Sequence, residues 1–246
     1  GLQVGDQQAD LVILGDYLAA AGKLALGINF REITPALFSD LFPELRSFDA
    51  ADLPLAGTVS LTMMADGSVD AVGFEIAGGR GRIGLPKELV HQLGLAPYAQ
   101  KIGLTNLTAR GSYDGAAKHL EINDLSIDFV DDAMLFLAPP TDHEMPLKSL
   151  RGRGRYLGLE NRLEVTSLDL DLKGPSAHLS AVIDGVGNDM TVDAKGILKN
   201  LAVNDFSRYW PRAWGTSAQA WSVSHLSEGN VSEINATLGM RSNGQG

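Results

Sequence analysis

The sequence predicts an all-β protein, mostly antiparallel, in which repetitive hairpins form an elongated curved sheet or β-groove with a few short helices. Two observations carry that expectation. First, Leu104 to Phe129 lies over Leu147 to Leu172 without a gap, 43 residues apart, with ten identities in 26 positions. Leu104, Leu107, Arg110, Gly111, Tyr113, Gly115, Leu120, Glu121, Leu125 and Asp128 recur as Leu147, Leu150, Arg153, Gly154, Tyr156, Gly158, Leu163, Glu164, Leu168 and Asp171. A period of that length in alternating sequence means that one small supersecondary unit is laid down repeatedly, each copy covering its neighbour's flank. Second, apolar residues outside the repeat also alternate with period two between turn dipeptides such as Asp66-Gly67.

Composition bounds the class. With 246 residues, 44% of them hydrophobic, the chain is typical of folded proteins. A formal charge of -10 leaves no basic stripe for nucleic acid and disfavours lying flat on an anionic bilayer. There is no cysteine, hence no disulfide and no thiolate chemistry. No run of 18 apolar residues occurs. The opening GLQVGDQQADLVILGDY is neither a signal peptide nor an initiator methionine, so the chain reads as an internal piece of a longer protein. We expect one repetitive domain over 1–246, with units of about 53–86, 104–138 and 147–183 and a helical segment over 205–226.

In chain order, residues 11–30 are apolar but punctuated by Gly15, Gly22 and Gly27, which favours two strands over a helix. Pro35 to Phe48 reads as a short helix, with Thr34 as cap, Pro35 in the first turn and Leu37, Phe38, Leu41 and Phe42 on one stripe. Leu53 to Pro86 is a hairpin: Val59, Leu61 and Met63 alternate, the chain turns at Asp66-Gly67, and Val72, Phe74 and Ile76 alternate back. Lys87 to Leu93 is a short helical stretch before the repeat.

Within the repeat, a turn centred between Gly115 and Ala116 pairs Gly111 with Leu120 on one face and Arg110 with Glu121 on the other. The second copy then pairs Arg153 with Glu164. Such opposed charges set register and face solvent. The apolar phase slips between Ile122 and Leu125, and again between Val165 and Leu168, which places a bulge or corner at Asn123-Asp124 and at Thr166-Ser167. Ala177 to Ile183 and Met190 to Ile197 continue the strands, and Asp205 to Leu226 is helical and holds Trp210, Trp214 and Trp221.

Few residues offer chemistry. Gly79 to Gly84 matches GxGxxG, but hairpins flank it and Pro86 interrupts the approach to a helix, so it reads as a strand or bulge where backbones come close. Asp142, His143 and Glu144 are the tightest set of metal-ligating side chains, yet prolines bracket them and no second histidine stands at ligand spacing. No GxSxG elbow exists and the remaining histidines are scattered. We therefore expect no enzyme, no metal and no cofactor. The tryptophans read as an anchor packing their helix over the end of the sheet, the alternative being a platform against lipid or a partner.

A sheet with one apolar face must cover it, either by folding over on itself or by curling into a trough whose lining contacts something greasy, and glycines such as Gly57, Gly111 and Gly154 on the inner face leave room for the second. The hairpin stretch from Asp52 to Pro86, the units ending in RLEVTSLDLDL, and YWPRAWGTSAQAWSVSHLSEGNV resemble the YhdP-type branch of the AsmA-like envelope proteins of Gram-negative bacteria. The motif residues are Tyr209, Trp210, Pro211, Trp221, Leu226, Gly229 and Val231, within a likeness running from about Ile28 to Val231; Gln219 stands where the family commonly has a basic residue. The resemblance implies a periplasmic protein, anchored to the inner membrane by a segment outside this chain, whose β-groove shields acyl chains while phospholipids cross between the membranes. On that reading the lipid-facing residues are Val59, Leu61, Met63, Phe74, Ile76, Tyr113, Leu120, Ile122, Tyr156, Leu163 and Val165. The alternative is an envelope scaffold without bound lipid.

Overall fold

The computed structural model describes residues 2–4, 7–35, 51–84, 101–136, 144–186, 189–209, 221, 224–225 and 228–241. The strands are β1 (Leu2–Val4), β2 (Gln7–Leu18), β3 (Lys23–Ile33), β4 (Leu55–Met64), β5 (Val69–Gly78), β6 (Gly81–Gly84), β7 (Lys101–Asp114), β8 (His119–Phe129), β9 (Met134–Phe136), β10 (Glu144–Pro146), β11 (Ser149–Leu157), β12 (Arg162–Asp171), β13 (Ser176–Asp184), β14 (Thr191–Ala202) and β15 (Asn230–Arg241). A 3-10 turn (Val203–Asp205) leads into one turn of helix, α1 (Phe206–Tyr209).

Thirteen of the strands form a single open antiparallel sheet in the order β1-β2-β3-β4-β5-β7-β8-β11-β12-β13-β14-β15, with β6 extending β5's place beside β7; β9 and β10 form a separate ribbon. Apart from β5 beside β7 and β8 beside β11, successive strands of this path are neighbours in sequence, the usual order of a meander. The turns at 19–22, 65–68, 115–118 and 158–161 cluster at one end of the strands, here the tip, while the longer connections leave from the opposite end, the base. Among the described residues only one sheet layer is present.

The repeat governs the geometry of the middle strands. Asn123 on β8 and Thr166 on β12, 43 residues apart, are the extra residues of two bulges flanking β11. The register steps from Gly111↔Ile122 to Arg110↔Asp124, and from Gly154↔Val165 to Arg153↔Ser167. Each bulge returns the following residues, Leu125 and Leu168, to the face that Ile122 and Val165 occupy. The phase slip in the sequence is therefore this pair of bulges.

Three expectations are corrected. The tip turn centres one residue later than Gly115-Ala116, since Asp114 opposes His119, so partners move by two up to Gly111 and by three beyond the bulge: Tyr113 rather than Gly111 opposes Leu120. Arg110 opposes Asp124, Arg153 opposes Ser167, and it is Arg155 that opposes Glu164. Arg110 and Glu121 nevertheless share the exposed face. Second, Gly57, Gly111 and Gly154 are not spacers for a trough. A Cβ on Gly111 would lie 2.2 Å from the Glu121 carbonyl oxygen and 2.7 Å from the Phe74 ring, one on Gly154 2.6 Å from the Glu164 oxygen, and one on Gly57 2.3 Å from the Glu75 oxygen. The adjacent backbone, brought close at the bulges for the first two, is what forbids a side chain. Third, the anchor of the C-terminal helical segment is not Trp221, which is 57% exposed and stacks on His225 with centroids 5.0 Å apart. Phe206 is buried instead, and the Tyr209 hydroxyl donates to the Leu172 carbonyl at 3.2 Å.

Buried residues concentrate at the base. Leu53, Leu104 and Ile127 form one cluster; Ile102, Ala133, Leu147 and Leu172 form a second, on which Phe129, Leu198 and Tyr209 pack. Leu104 and Leu147, equivalent across the repeat, are 0% and 4% exposed. Burial pushes the Tyr209 phenol up from its ordinary value. Gly79 to Gly84 runs into β6, where a Cβ on Gly81 would meet Leu53 Cβ at 2.3 Å and Asp52 bridges Arg82, the close approach expected of those glycines. The expected helices over 35–48 and 87–93, with Asp142, His143, Trp210, Pro211, Trp214, Gln219 and Leu226, lie outside the described residues, save Pro35, which is helical.

Candidate functional site: one apolar face across eleven strands

In an antiparallel sheet, directly opposed residues share a face. Following the pairs outward from β2 gives one row through Gly15, Leu26, Leu61, Val72, Tyr113, Leu120, Tyr156, Leu163, Ile183, Val192 and Met240. The next row toward the base runs Ile13, Ile28, Val59, Phe74, Gly111, Ile122, Gly154, Val165, Ala181, Ala194 and Leu238. A third runs Leu11, Phe30, Gly57, Ile76, Ala109, Leu125, Gly152, Leu168, Leu179, Gly196 and Ala236. No charged side chain interrupts these three rows, and the tyrosine hydroxyls are their only polar side-chain groups. Ten gaps of about 4.8 Å make the surface roughly 48 Å wide.

All eleven residues expected to face lipid stand on this surface: Leu61, Tyr113, Leu120, Tyr156 and Leu163 in the first row, Val59, Phe74, Ile122 and Val165 in the second, Ile76 in the third, and Met63 beyond the first row opposite Leu24. They are half-buried, shielded by one another and by their cross-strand neighbours. Of the motif residues, Tyr209 belongs to the base core and Gly229 holds a φ of 126° just before β15, a conformation suited to glycine. Sequence reasoning left out Ile13, Leu26, Ile28, Ile183, Val192, Leu238 and Met240. Their period-two alternation was the available signal, but which parity shares a face across two bulged strands follows only from the register.

The opposite face carries the charge. Arg155 donates to Glu164 at 2.6 Å, Arg162 to Asp184 at 2.6 Å, Arg151 to Asp128 at 2.7 Å and Lys148 to Asp171 at 2.9 Å, while His178 meets Asp169 at 2.7 Å. The hydrogen bond from Arg151 holds Asp128 below the usual carboxylate range, and the one from Lys148 does the same for Asp171. Three shallow depressions of about 450 Å3 lie on this side, over Val12, Leu14, Gly27 and Ser60, where β2 turns two exposed hydrophobics to the charged face, over Ser180, Asp193 and Lys195, and over Ser149, Asp171 and His178. Among the described residues, no cluster of three metal-ligating side chains occurs and no helix is long and apolar enough to cross a membrane.

Comparison of the chain with protein-family models, with curated proteins and with solved structures finds no match.

Proposed function

We propose that the apolar face holds lipid acyl chains, and that the chain is a binding and conduit module for phospholipid passage between the inner and outer membranes of a Gram-negative envelope. The observation that carries the reading is the continuity of the three rows: hydrocarbon laid anywhere along the roughly 48 Å meets no charge. The resemblance of Tyr209 to Val231 to AsmA-like proteins supports the envelope setting. The mechanism is passive partition. Each methylene withdrawn from water contributes about 0.8 kcal/mol, and an open face withdraws only one side of it, so a tail is retained yet free to slide across rows of similar residues. Headgroups remain in water. The protein would be periplasmic and anchored by a segment outside this chain.

Leu120, Tyr156 and Leu163 stand side by side in one row, so Leu120→Asp with Leu163→Asp puts two carboxylates across the path of a tail. The test is incubation of the chain with phosphatidylethanolamine–phosphatidylglycerol vesicles, re-isolation, organic extraction and mass spectrometry. The parent chain retains phospholipid; the double variant, with β-type circular dichroism intact, loses most of it, whereas Ser112→Asp with Thr108→Asp on the polar face keeps it. A parent chain free of lipid would favour the scaffold reading instead.

A further inference from the structure

The two tyrosines of the apolar face differ in what their hydroxyls meet. Tyr156 donates to Asn161 Oδ1 at 2.9 Å, and Asn161 Nδ2 donates in turn to the Val186 carbonyl at 3.2 Å. Tyr113 is its equivalent one repeat earlier, and five positions on, where the second copy has Asn161, the first has Lys118. The backbones at these two positions match. Lys118 and Asn161 each close a tip turn at positive φ, 49° and 50°. The carbonyl of each accepts the N–H of the next turn's glycine, Gly158 at 2.8 Å and Gly185 at 3.0 Å. Side chains at 118 and 161 therefore start from equivalent places beside equivalent tyrosines.

The chemistry of the two does not match. An asparagine amide offers the tyrosine an acceptor, whereas a lysine ammonium has three donors and no acceptor. The first copy thus places a hydroxyl donor and a cation in one tip unit, and among the described residues neither the Tyr113 hydroxyl nor the Lys118 ammonium has a protein partner. The acids in these turns are engaged: Asp114 Oδ1 accepts from the Ala117 N–H at 2.9 Å, and Glu160 lies 4.0 Å from Arg162. An anionic oxygen complements both groups, and a phosphate carries several.

The position suits a headgroup. Tyr113 stands in the row of the three nearest the tip, and toward the base the same face of β7 presents Gly111, Ala109 and Leu107, the last packed on the cluster of Leu53, Leu104 and Ile127. Six residues of strand span about 20 Å, enough for the roughly 15 Å that the tails of one leaflet occupy.

We infer that Tyr113 and Lys118 form a phosphate subsite that holds a phospholipid headgroup at the tip while its tail lies along β7 and β8 toward the base. The subsite rests on the reading that this face holds acyl chains, and it adds to that reading a polar station and a direction. Tyr156, bonded to Asn161, provides no second station.

The test uses phosphatidylethanolamine–phosphatidylglycerol vesicles doped with diacylglycerol of the same tails, followed by re-isolation, organic extraction and mass spectrometry. The quantity read is the ratio of phospholipid to diacylglycerol in the extract, relative to the vesicles. The parent chain should favour phospholipid about threefold, as an exposed ion pair with one added hydrogen bond allows. Lys118→Asn gives Tyr113 the acceptor that Tyr156 has, in a residue that tolerates positive φ. It should bring the ratio to parity while the extract still holds diacyl lipid, and Tyr113→Phe should lower the ratio part of the way. Circular dichroism checks that each variant folds. Inorganic phosphate, added against chloride of equal ionic strength, should leave the parent ratio unchanged; its collapse would assign the subsite to free phosphate and overturn the proposal. Parity in the parent, or an undiminished ratio in Lys118→Asn, would overturn the subsite and leave the acyl-chain reading standing. An extract with neither lipid would overturn that reading, and the subsite with it.

Discussion

Glycine at 111 and at 154 is required by backbone, since each sits where a bulge in the facing strand pushes a carbonyl oxygen into the space of a Cβ. Alanine there forces the strands apart. Gly111→Ala and Gly154→Ala should each cost about 1–3 kcal/mol, read as a lower urea midpoint. Gly27 is the control, because its φ is ordinary and a Cβ there would meet nothing within 4 Å: Gly27→Ala should be neutral or stabilise by up to about 1 kcal/mol. Equal losses at all three positions would mean that general strand stiffness, not carbonyl contact, explains the glycines.

Strands β8, β11 and β12 are tied across the polar face by Arg151 with Asp128, Lys148 with Asp171, and Arg155 with Glu164. Asp128 and Asp171 titrate lower in the folded chain than their ordinary 3.8. A folded value below the unfolded one stabilises above the unfolded value, and that contribution is lost as pH falls through the folded value. Urea midpoints should therefore decline from about pH 4 downward, and Lys148→Gln with Arg151→Gln should flatten the decline; an unchanged slope would assign acid sensitivity elsewhere. These pairs are exposed, so their use lies in register more than in stability. Register was the element-level feature that the letters carried least well. The period-two alternation identifies the hairpin strands, and the parity change after Ile122 and Val165 locates both bulges. The four-residue tip turns, closing on Lys118 and Asn161 at positive φ, moved the partners by two. No local pattern marks that choice, because Asp114-Gly115 is compatible with either turn. The base core was equally hidden: Leu53 meets Leu104 and Ile127, and Leu147 meets Ile102, Ala133 and Leu172, only once distant stretches of the chain are brought together.

Across the described residues the sheet is a meander with one uncharged apolar face and an opposite face that carries the ion pairs, save at β2, where Val12 and Leu14 stand on the charged side; the buried residues gather at the base. One conventional consequence of such a sheet is a second layer; among the described residues none covers the three rows. The central claim is that hydrocarbon contacts this face and not the other. Ile122 and Glu121 are adjacent in β8 and point to opposite faces, Ile122 into the apolar rows and Glu121 away from them. With benzoylphenylalanine placed at either position, irradiation in the presence of phosphatidylethanolamine–phosphatidylglycerol vesicles should yield a phospholipid adduct by mass spectrometry at 122 and none at 121. Adducts at neither position, or at both alike, would contradict it.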